Sequence, residues 1–363
     1  MELNPGFTIL ALETSCDETA AAVIRDGREI VSNVVASQMH LHERYGGVVP
    51  ELASREHITS MAPVIREALA PVGGWQNIDA IACTYGPGLP GALLAGVNAA
   101  KGLAWAHNKP LVAVNHLEAH IYANWLIPGA ERQPEAGQSP GAPPAETTEP
   151  PPFPLVCLIV SGGHTALVLL RDHGDYQLLG QTRDDAAGEA FDKAARIMGL
   201  GYPGGPQIQK IAAGVDPGDL QVPRAWLGDS YDFSFSGVKT HILHEVQRRK
   251  AGADVNLAQV APEDVRRLAS AFQEAVVDVL VTKTVQAARD VGARCVLLAG
   301  GVAANVVLRN TLIARSPVPV RYPPVWLCTD NAAMVGAAAY FRFAQGVQHG
   351  WDLGVKPNLK LVT

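Results

Sequence analysis

A proline-rich stretch divides this sequence into two parts that follow one pattern, and the duplication constrains the fold more than any other feature. Residues 128–154, PGAERQPEAGQSPGAPPAETTEPPPFP, contain nine prolines and almost nothing that could enter a core. Such a segment reads as a disordered or polyproline-like linker. Before it come three strand-like runs, FTILALETS, TAAAVIR and EIVSNVVAS; after it come three more, LVCLIVS, TALVLLR and YQLLGQT. Short turns join each triplet as a β-meander. Helical stretches follow in both parts, among them PELASREHITSMAPVIREAL and RRLASAFQEAVVDVLVTKTVQAAR. Each part then has a buried strand entering a glycine turn and a helix: IDAIACTYGPGLPGALLAGVNAAKGLA and RCVLLAGGVAANVVLRNTL. Each closes with a further strand and helix, PLVAVNHLEAHIYANWL and VWLCTDNAAMVGAAAYFRF. The order β-β-β-α-β-α-β-α therefore occurs twice, which predicts a duplicated α/β fold. The duplication also pairs the turn ETSCDET with the turn SGGHT. Ligand groups in α/β sheets gather beyond the carboxyl ends of strands, so both turns are expected on one nucleotide-sized cleft.

With 363 residues, two domains are the prior. A hydrophobic content of 48% against 18% charged residues is that of a soluble globular chain. The net charge of −6 argues against a generic nucleic-acid binder. The five cysteines (16, 83, 157, 295, 328) are dispersed and form no C-x-x-C. That pattern predicts a reduced, cytoplasmic protein with neither a disulfide framework nor a zinc ribbon. No signal peptide and no membrane span are expected.

The strongest chemical signal is NHLEAH, residues 115–120. A strand ends near Val114, Asn115 suits an N-cap, and His116 and His120 lie one turn apart on one helix face. That spacing can chelate one metal ion. A zinc-protease reading fails on geometry, because H-E-x-x-H places its glutamate directly after the first histidine. At roughly 100° per residue, Glu118 points about 180° from the bisector of the two histidines. Asp330, in LCTDNAAM, is the candidate third ligand, expected at a strand-to-helix junction. It could equally be a cap, but Thr329, Asp330 and Asn331 offer three capping groups where one suffices. Two histidines and a carboxylate leave open coordination positions, which suits Fe(II) or Zn(II) acting as a Lewis acid.

Three glycine turns, SGGHT (161–165), AGGVAAN (299–305) and YGPGLPGALLAG (85–96), could present backbone amides to an anion. Any one is weak; three at matching places in a duplicated chain point to a nucleotide cleft. Asp192 and Lys193 fall mid-helix in GEAFDKAARIMGLGYPGGP and read either as a solvated pair or as a ribose contact. Lys239 in DFSFSGVKTHI either holds a phosphate or starts a helix. Cys16 reads as a buried structural thiol, since no histidine neighbours it in sequence.

Together ALETSCDETAAAV, YGGVVPELASREH, YGPGLPGALL, VNHLEAHIYA, VSGGHTAL, DDAAGEAFDKAARIMGLGYPGGP, FSFSGVKT, AGGVAAN and CTDNAAM resemble the TsaD family. These are the tRNA N6-adenosine threonylcarbamoyltransferases, formerly called O-sialoglycoprotein endopeptidases. The resemblance covers nearly the whole chain outside 128–154. It implies a duplicated actin-like fold of the sugar kinase, heat-shock protein and actin superfamily, with two lobes around a nucleotide cleft. The expected division is 1–127 plus 333–363 for the N-terminal lobe, 128–154 for the insert and 155–332 for the C-terminal lobe.

The implied reaction moves a threonylcarbamoyl group from threonylcarbamoyl-AMP to N6 of the adenosine just 3′ of the anticodon, in tRNAs reading codons that begin with A. The implied metal ligands are His116, His120 and Asp330, holding Fe(II) or Zn(II). The implied adenylate contacts are Ile159, Val160, Ser161, Gly162, Gly163, Asp192, Gly205 and Asn305, with ATP or ADP as further occupants of the cleft. Many members carry an acid where this chain has Gln209, which puts that contact in doubt. The acidic turn falls on Asp17 and Glu18, either of which could serve as base or orient the nucleophile.

The implied partners are tRNA, TsaB and TsaE, with a TsaC-type synthase supplying the adenylate and a homodimer forming when TsaB is absent. The helix following YGGVVPELASREH is the implied TsaB contact. The competing readings are a small-molecule kinase of the same superfamily, which has no use for the histidine pair, a metal-dependent peptidase, and a nucleotide-sensing scaffold.

Overall fold

A computed structural model describes residues 3–127, 149–250 and 260–362; the expected linker falls mostly on 128–148, outside the described residues. In chain order the elements begin β1 (Thr8–Glu13), β2 (Glu18–Arg25), β3 (Glu29–Ser37), α1 (Met39–His42), α2 (Pro50–Leu69), β4 (Ala80–Gly86), α3 (Pro90–His107), β5 (Leu111–Asn115) and α4 (His116–Tyr122). They continue β6 (Leu155–Val160), β7 (Thr165–Asp172), β8 (Asp175–Gln181), α5 (Ala187–Ile197), α6 (Gly204–Ala212), α7 (Ser236–Lys250) and α8 (Pro262–Asp290). The last are β9 (Cys295–Ala299), α9 (Val306–Arg315), β10 (Val320–Arg321), α10 (Val325–Cys328) and α11 (Ala332–Ala344).

The chain forms two compact units, one of Met1–Pro151 with Pro323–Thr363 and one of Pro152–Tyr322. In the first, the sheet order is β3-β2-β1-β4-β5; in the second, the order β10-β9-β6-β7-β8 is the same arrangement read from the other edge. The first hairpin of each sheet is antiparallel, and β1 with β4, like β6 with β9, is parallel. The duplication read from the sequence is thus present at the level of strand order.

β1, the central strand of the first unit, is buried along its whole length, as expected of a strand covered on both faces. Leu10 and Leu12 point to the core shared with α2 and α3, which includes Met61, Val64, Val97 and Ala100. The opposite face, with Ala11 and Ile24, carries α11 at very close range. A Cβ on Gly336 would lie 2.6 Å from Ile24 Cγ1. Gly336→Ala is therefore expected to destabilise the chain by about 1–3 kcal/mol through overpacking. Gly102→Ala, mid-helix in α3 with nothing within 4 Å of its Cβ, should instead gain about 0.5–1 kcal/mol. Calorimetry on the two variants tests the sign difference.

The end of the chain departs from expectation. VWLC is a short helix, not a strand. Pro323 and Pro324 precede it without amide donors for a ladder, and the fifth strand of the second sheet is already supplied by Val320–Arg321. The chain passes back to the first unit at Pro323, whereas the crossing was expected at 332/333. Asp330 consequently belongs to the unit that holds the histidines.

Candidate active site

The three carboxylates of ETSCDET have separate surroundings. Glu13 is not in the turn; it is the last residue of β1 and fully buried. Its Oε1 accepts from the Ser15 amide at 2.6 Å, and its Oε2 from the Thr84 hydroxyl at 2.5 Å and His116 Nδ1 at 3.3 Å. Burial would raise its proton affinity, but the His116 charge and hydrogen bond, with Thr84, hold it below the ordinary glutamate value. Asp17 closes the turn and Glu18 opens β2, where the Ser37 hydroxyl donates to its carboxylate at 3.2 Å. Burial, and then the charges of Asp330 and Asp17, push Glu18 up to about 9. The turn therefore feels Asp330, which sequence separates from it by most of the chain. Burial, followed by the Asp17 and Asp330 charges, also pushes the Cys16 thiol far up. A thiol held protonated in this way is a poor nucleophile, although Cys16 is half-buried rather than buried as expected.

β5 runs directly into α4, and the Asn115 side chain caps that helix by accepting from the amides of Leu117 and Glu118. His116 and His120 then stand on one face, with ring centroids 4.6 Å apart. Asn331 caps α11 by accepting from the Met334 amide at 3.1 Å, so Asp330 is released from capping. Asp330 Oδ1 lies 3.6 Å from His116 Nε2 and 3.1 Å from His120 Nε2. The possible donor atoms of the three residues all fall within 4.8 Å of one another. Two imidazole nitrogens aimed at one carboxylate oxygen form a donor set that a divalent cation fits. Glu13 on Nδ1 of His116 fixes the tautomer that leaves Nε2 to coordinate. Burial would lower the His116 proton affinity, but Asp330 and Glu13 outweigh it and raise it to about 9. Glu118 turns away, as its helical angle requires, and its carboxylate accepts from Arg342 at 2.9 Å.

The other candidate residues lie in the second unit. Ile159 and Val160 end the buried strand β6. Gly162 and Gly163 beyond them are exposed, and a Cβ on either would meet nothing within 4 Å. Packing therefore does not require glycine there, while close backbone approach by a ligand would. The neighbouring glycines are different: a Cβ on Gly188 would lie 2.6 Å from the Ser161 carbonyl, and one on Gly300 2.4 Å from that of Val160. Asp192 accepts from the Gly204 amide at 2.7 Å and so fastens the start of α6. Asn305 caps α9 through the Leu308 amide and donates to Gln273 at 3.0 Å. Gln209 accepts from the Val306 amide at 2.8 Å, a bond that ties α6 to the start of α9. Lys193 and Lys239 both pair with Asp185. The YGPGLPG glycines sit in the first unit: Gly88 approaches the Ser15 carbonyl and Gly96 the Thr14 side chain. They let the loop before α3 and α3 itself press against the residues that lead into the acidic turn.

The family model for TsaD, tRNA N6-adenosine threonylcarbamoyltransferase, matches residues 29–137 and 142–337. A curated relative of that name from Thermomicrobium roseum is 58% identical over 98% of this chain and 97% of its own length. Another from Geobacillus thermodenitrificans is 50% identical over 100% and 99%. The chain belongs to the TsaD family.

Its fold is the expected duplicated actin-like one. HypF from T. kodakarensis superposes with a TM-score of 0.56 at 14% identity, covering 95% of this chain and 49% of that one. Component A of the Acidaminococcus fermentans (R)-2-hydroxyglutaryl-CoA dehydratase gives 0.50 at 15% identity, covering 93% and 99%. These distant likenesses establish architecture alone. Family membership leaves the kinase and peptidase readings without support. No helix among the described residues is long and apolar enough to cross a membrane.

Proposed function

We infer that this TsaD-family chain transfers the threonylcarbamoyl group from threonylcarbamoyl-AMP to N6 of the adenosine next to the anticodon in tRNAs reading A-initial codons. The observation that carries the reading is the His116–His120–Asp330 triad, beside an acidic turn, in a chain that a family relative matches over 98% of its length. The triad would hold Fe(II) or Zn(II), which as a Lewis acid supplies polarisation and anchoring of the threonylcarbamoyl group. Glu13 orients His116 for that task. In the transfer, the bond from N6 to the carbamoyl carbon forms, the bond to the phosphate oxygen breaks, and AMP leaves. The N6 proton passes to the acidic turn, at Asp17 or, when its own carboxyl is ionised, at Glu18. The amides of Gly162 and Gly163 hold the phosphate, the Ser161 amide being engaged by the His164 carbonyl at 2.8 Å. Asp192, Gly205 and Asn305 complete the adenylate contacts; the side chains of Asp192 and Asn305 also anchor α6 and α9.

Partners complete the system in this reading. α2 and α3 border an apolar groove of about 770 Å³ lined by Ile58, Met61, Ile65, Trp75 and Leu103. Ile58 is 72% exposed. This surface suits TsaB, with TsaE joining the assembly and a TsaC-type synthase providing the adenylate in the cytoplasm. With a net charge of −6 and phosphate neutralisation dominating nucleic-acid affinity, the isolated chain should bind tRNA weakly. The deciding experiment is nucleoside mass spectrometry of an unmodified tRNA incubated with this chain, TsaB, TsaE, ATP and threonylcarbamoyl-AMP. A threonylcarbamoyl-adenosine peak that disappears on chelation is the expected result. No peak, with the partners active beside a known transferase, would overturn the reading.

A further inference from the structure

A buried run of hydrogen bonds connects the acidic turn to the start of α2 through side chains that no step above uses. His57, on the inner face of α2, is 0% exposed. Its Nε2 lies 3.0 Å from the Cys16 carbonyl. A carbonyl only accepts, so Nε2 carries the proton and Nδ1 is the acceptor. Nδ1 lies 2.8 Å from the Thr19 hydroxyl and 3.4 Å from Gln38 Nε2. The backbone N–H of Gln38 donates to the Asp17 carbonyl at 3.0 Å, while its side-chain Nε2 also donates to the Ala53 carbonyl at 3.4 Å. Gln38 Oε1 accepts from His42 Nε2 at 3.3 Å, and His42 Nδ1 accepts from the amide of Val49, the residue preceding α2, at 3.2 Å. Gln38 and His42 are buried as well. One tautomer of each imidazole satisfies every link. Burial holds the His57 imidazole below its usual proton affinity, outweighing the Cys16 carbonyl and nearby carboxylates, so the neutral ring this pattern requires is the favoured one.

An apolar helix face could pack on the sheet without these groups. Burying two imidazoles and an amide is costly unless each polar atom is bonded. Here the His57 bonds reach Cys16 and Thr19, and the backbone of Gln38, whose side chain His57 holds, bonds Asp17; these residues enclose the two carboxylates. We propose that His57 is the positioning residue of the acidic turn, clamping with Gln38 the backbone that presents Asp17 and Glu18 to the reacting amine. The inference rests on the role given to those carboxylates above.

Three variants in the transfer assay test it. His57→Leu removes the links to Cys16, Thr19 and Gln38 at similar volume, His57→Gln keeps a donor toward Cys16, and Thr19→Val removes only the hydroxyl. His57→Leu is expected to lower kcat roughly 100-fold, as misplaced catalytic groups do, with the KM for threonylcarbamoyl-AMP and the metal content unchanged. His57→Gln should recover most of that loss. Amide exchange in His57→Leu should quicken across residues 14–19 and not elsewhere in the sheet. Because His57 acts through the turn, Asp17→Asn combined with His57→Leu should be no slower than Asp17→Asn alone.

A folded His57→Leu chain with unchanged kcat, or a double variant whose losses multiply, overturns the proposal. If His57→Leu does not fold, Thr19→Val decides: a kcat loss of about 10-fold at constant KM supports the clamp, and an unchanged kcat sinks it. Full activity in both Asp17→Asn and Glu18→Gln would instead remove the underlying role of the turn. An inactive Asp17→Asn beside a fully active His57→Leu removes only the clamp.

Discussion

Asp17→Asn is expected to bring threonylcarbamoyl transfer down by about 10²–10⁴-fold, the usual contribution of a positioned general base, while metal content stays unchanged. An exocyclic amine sheds a proton as its bond to the carbamoyl carbon forms, and an amide in place of the carboxylate cannot take it. The substitution keeps the shape of the side chain. It touches none of His116, His120 and Asp330, the residues grouped for metal binding. Metal analysis and single-turnover transfer on one preparation separate the two effects. Full activity in Asp17→Asn with a dead Glu18→Gln would move the role to Glu18; metal loss in Asp17→Asn would show that the turn supports the triad rather than the proton.

Glu13→Gln is expected to weaken metal binding roughly 10–100-fold, the usual effect of losing the partner that orients a ligating histidine. The buried carboxylate accepts from Ser15, Thr84 and His116 together. A carboxamide turned one way loses the Ser15 bond and turned the other way loses those to Thr84 and His116, and in either orientation the negative charge that steadies the His116 ring is gone. Glu13→Leu goes further, leaving those buried donors without their acceptor at a cost of about 3–5 kcal/mol. Competition with a chromophoric chelator reads the affinity, and thermal unfolding of the metal-free chain reads the stability. Unchanged metal affinity in Glu13→Gln would dismiss the orienting role.

Much of the fold was legible because it rests on local rules. Alternating and continuous apolar runs marked both meanders, and the repeat in their order anticipated the shared strand order of the two sheets. Asn115 and the four-residue spacing of the histidines placed a capped helix presenting two imidazoles on one face, and the same angles turned Glu118 away to Arg342. VWLC was misread as a strand because a short apolar run has no period to distinguish it from a helix. Gly88 and Gly96 were read as part of an anion turn, but the structure gives them a packing role against Ser15 and Thr14; sequence alone shows a glycine, not the neighbour that demands it. His57 sat in view within PELASREH, yet a lone histidine on a helix carries no local mark of its partner.

The sequence by itself determined the two α/β units, their strands and helices, the histidine pair and the family, since each depends on residues near one another or on long ordered motifs. Only the tertiary structure decided that Asp330, which was expected in the other lobe, lies in the same unit as His116 and His120, that Glu13 lies behind them, and that His57 and Gln38 grip the acidic turn. The physical reason is common to all three. These contacts join residues from about twenty to more than two hundred positions apart, brought together because buried polar groups must find partners wherever packing places them. Spacing along a chain records what one helix or strand can reach; it does not record which distant carboxylate or imidazole will satisfy a buried donor.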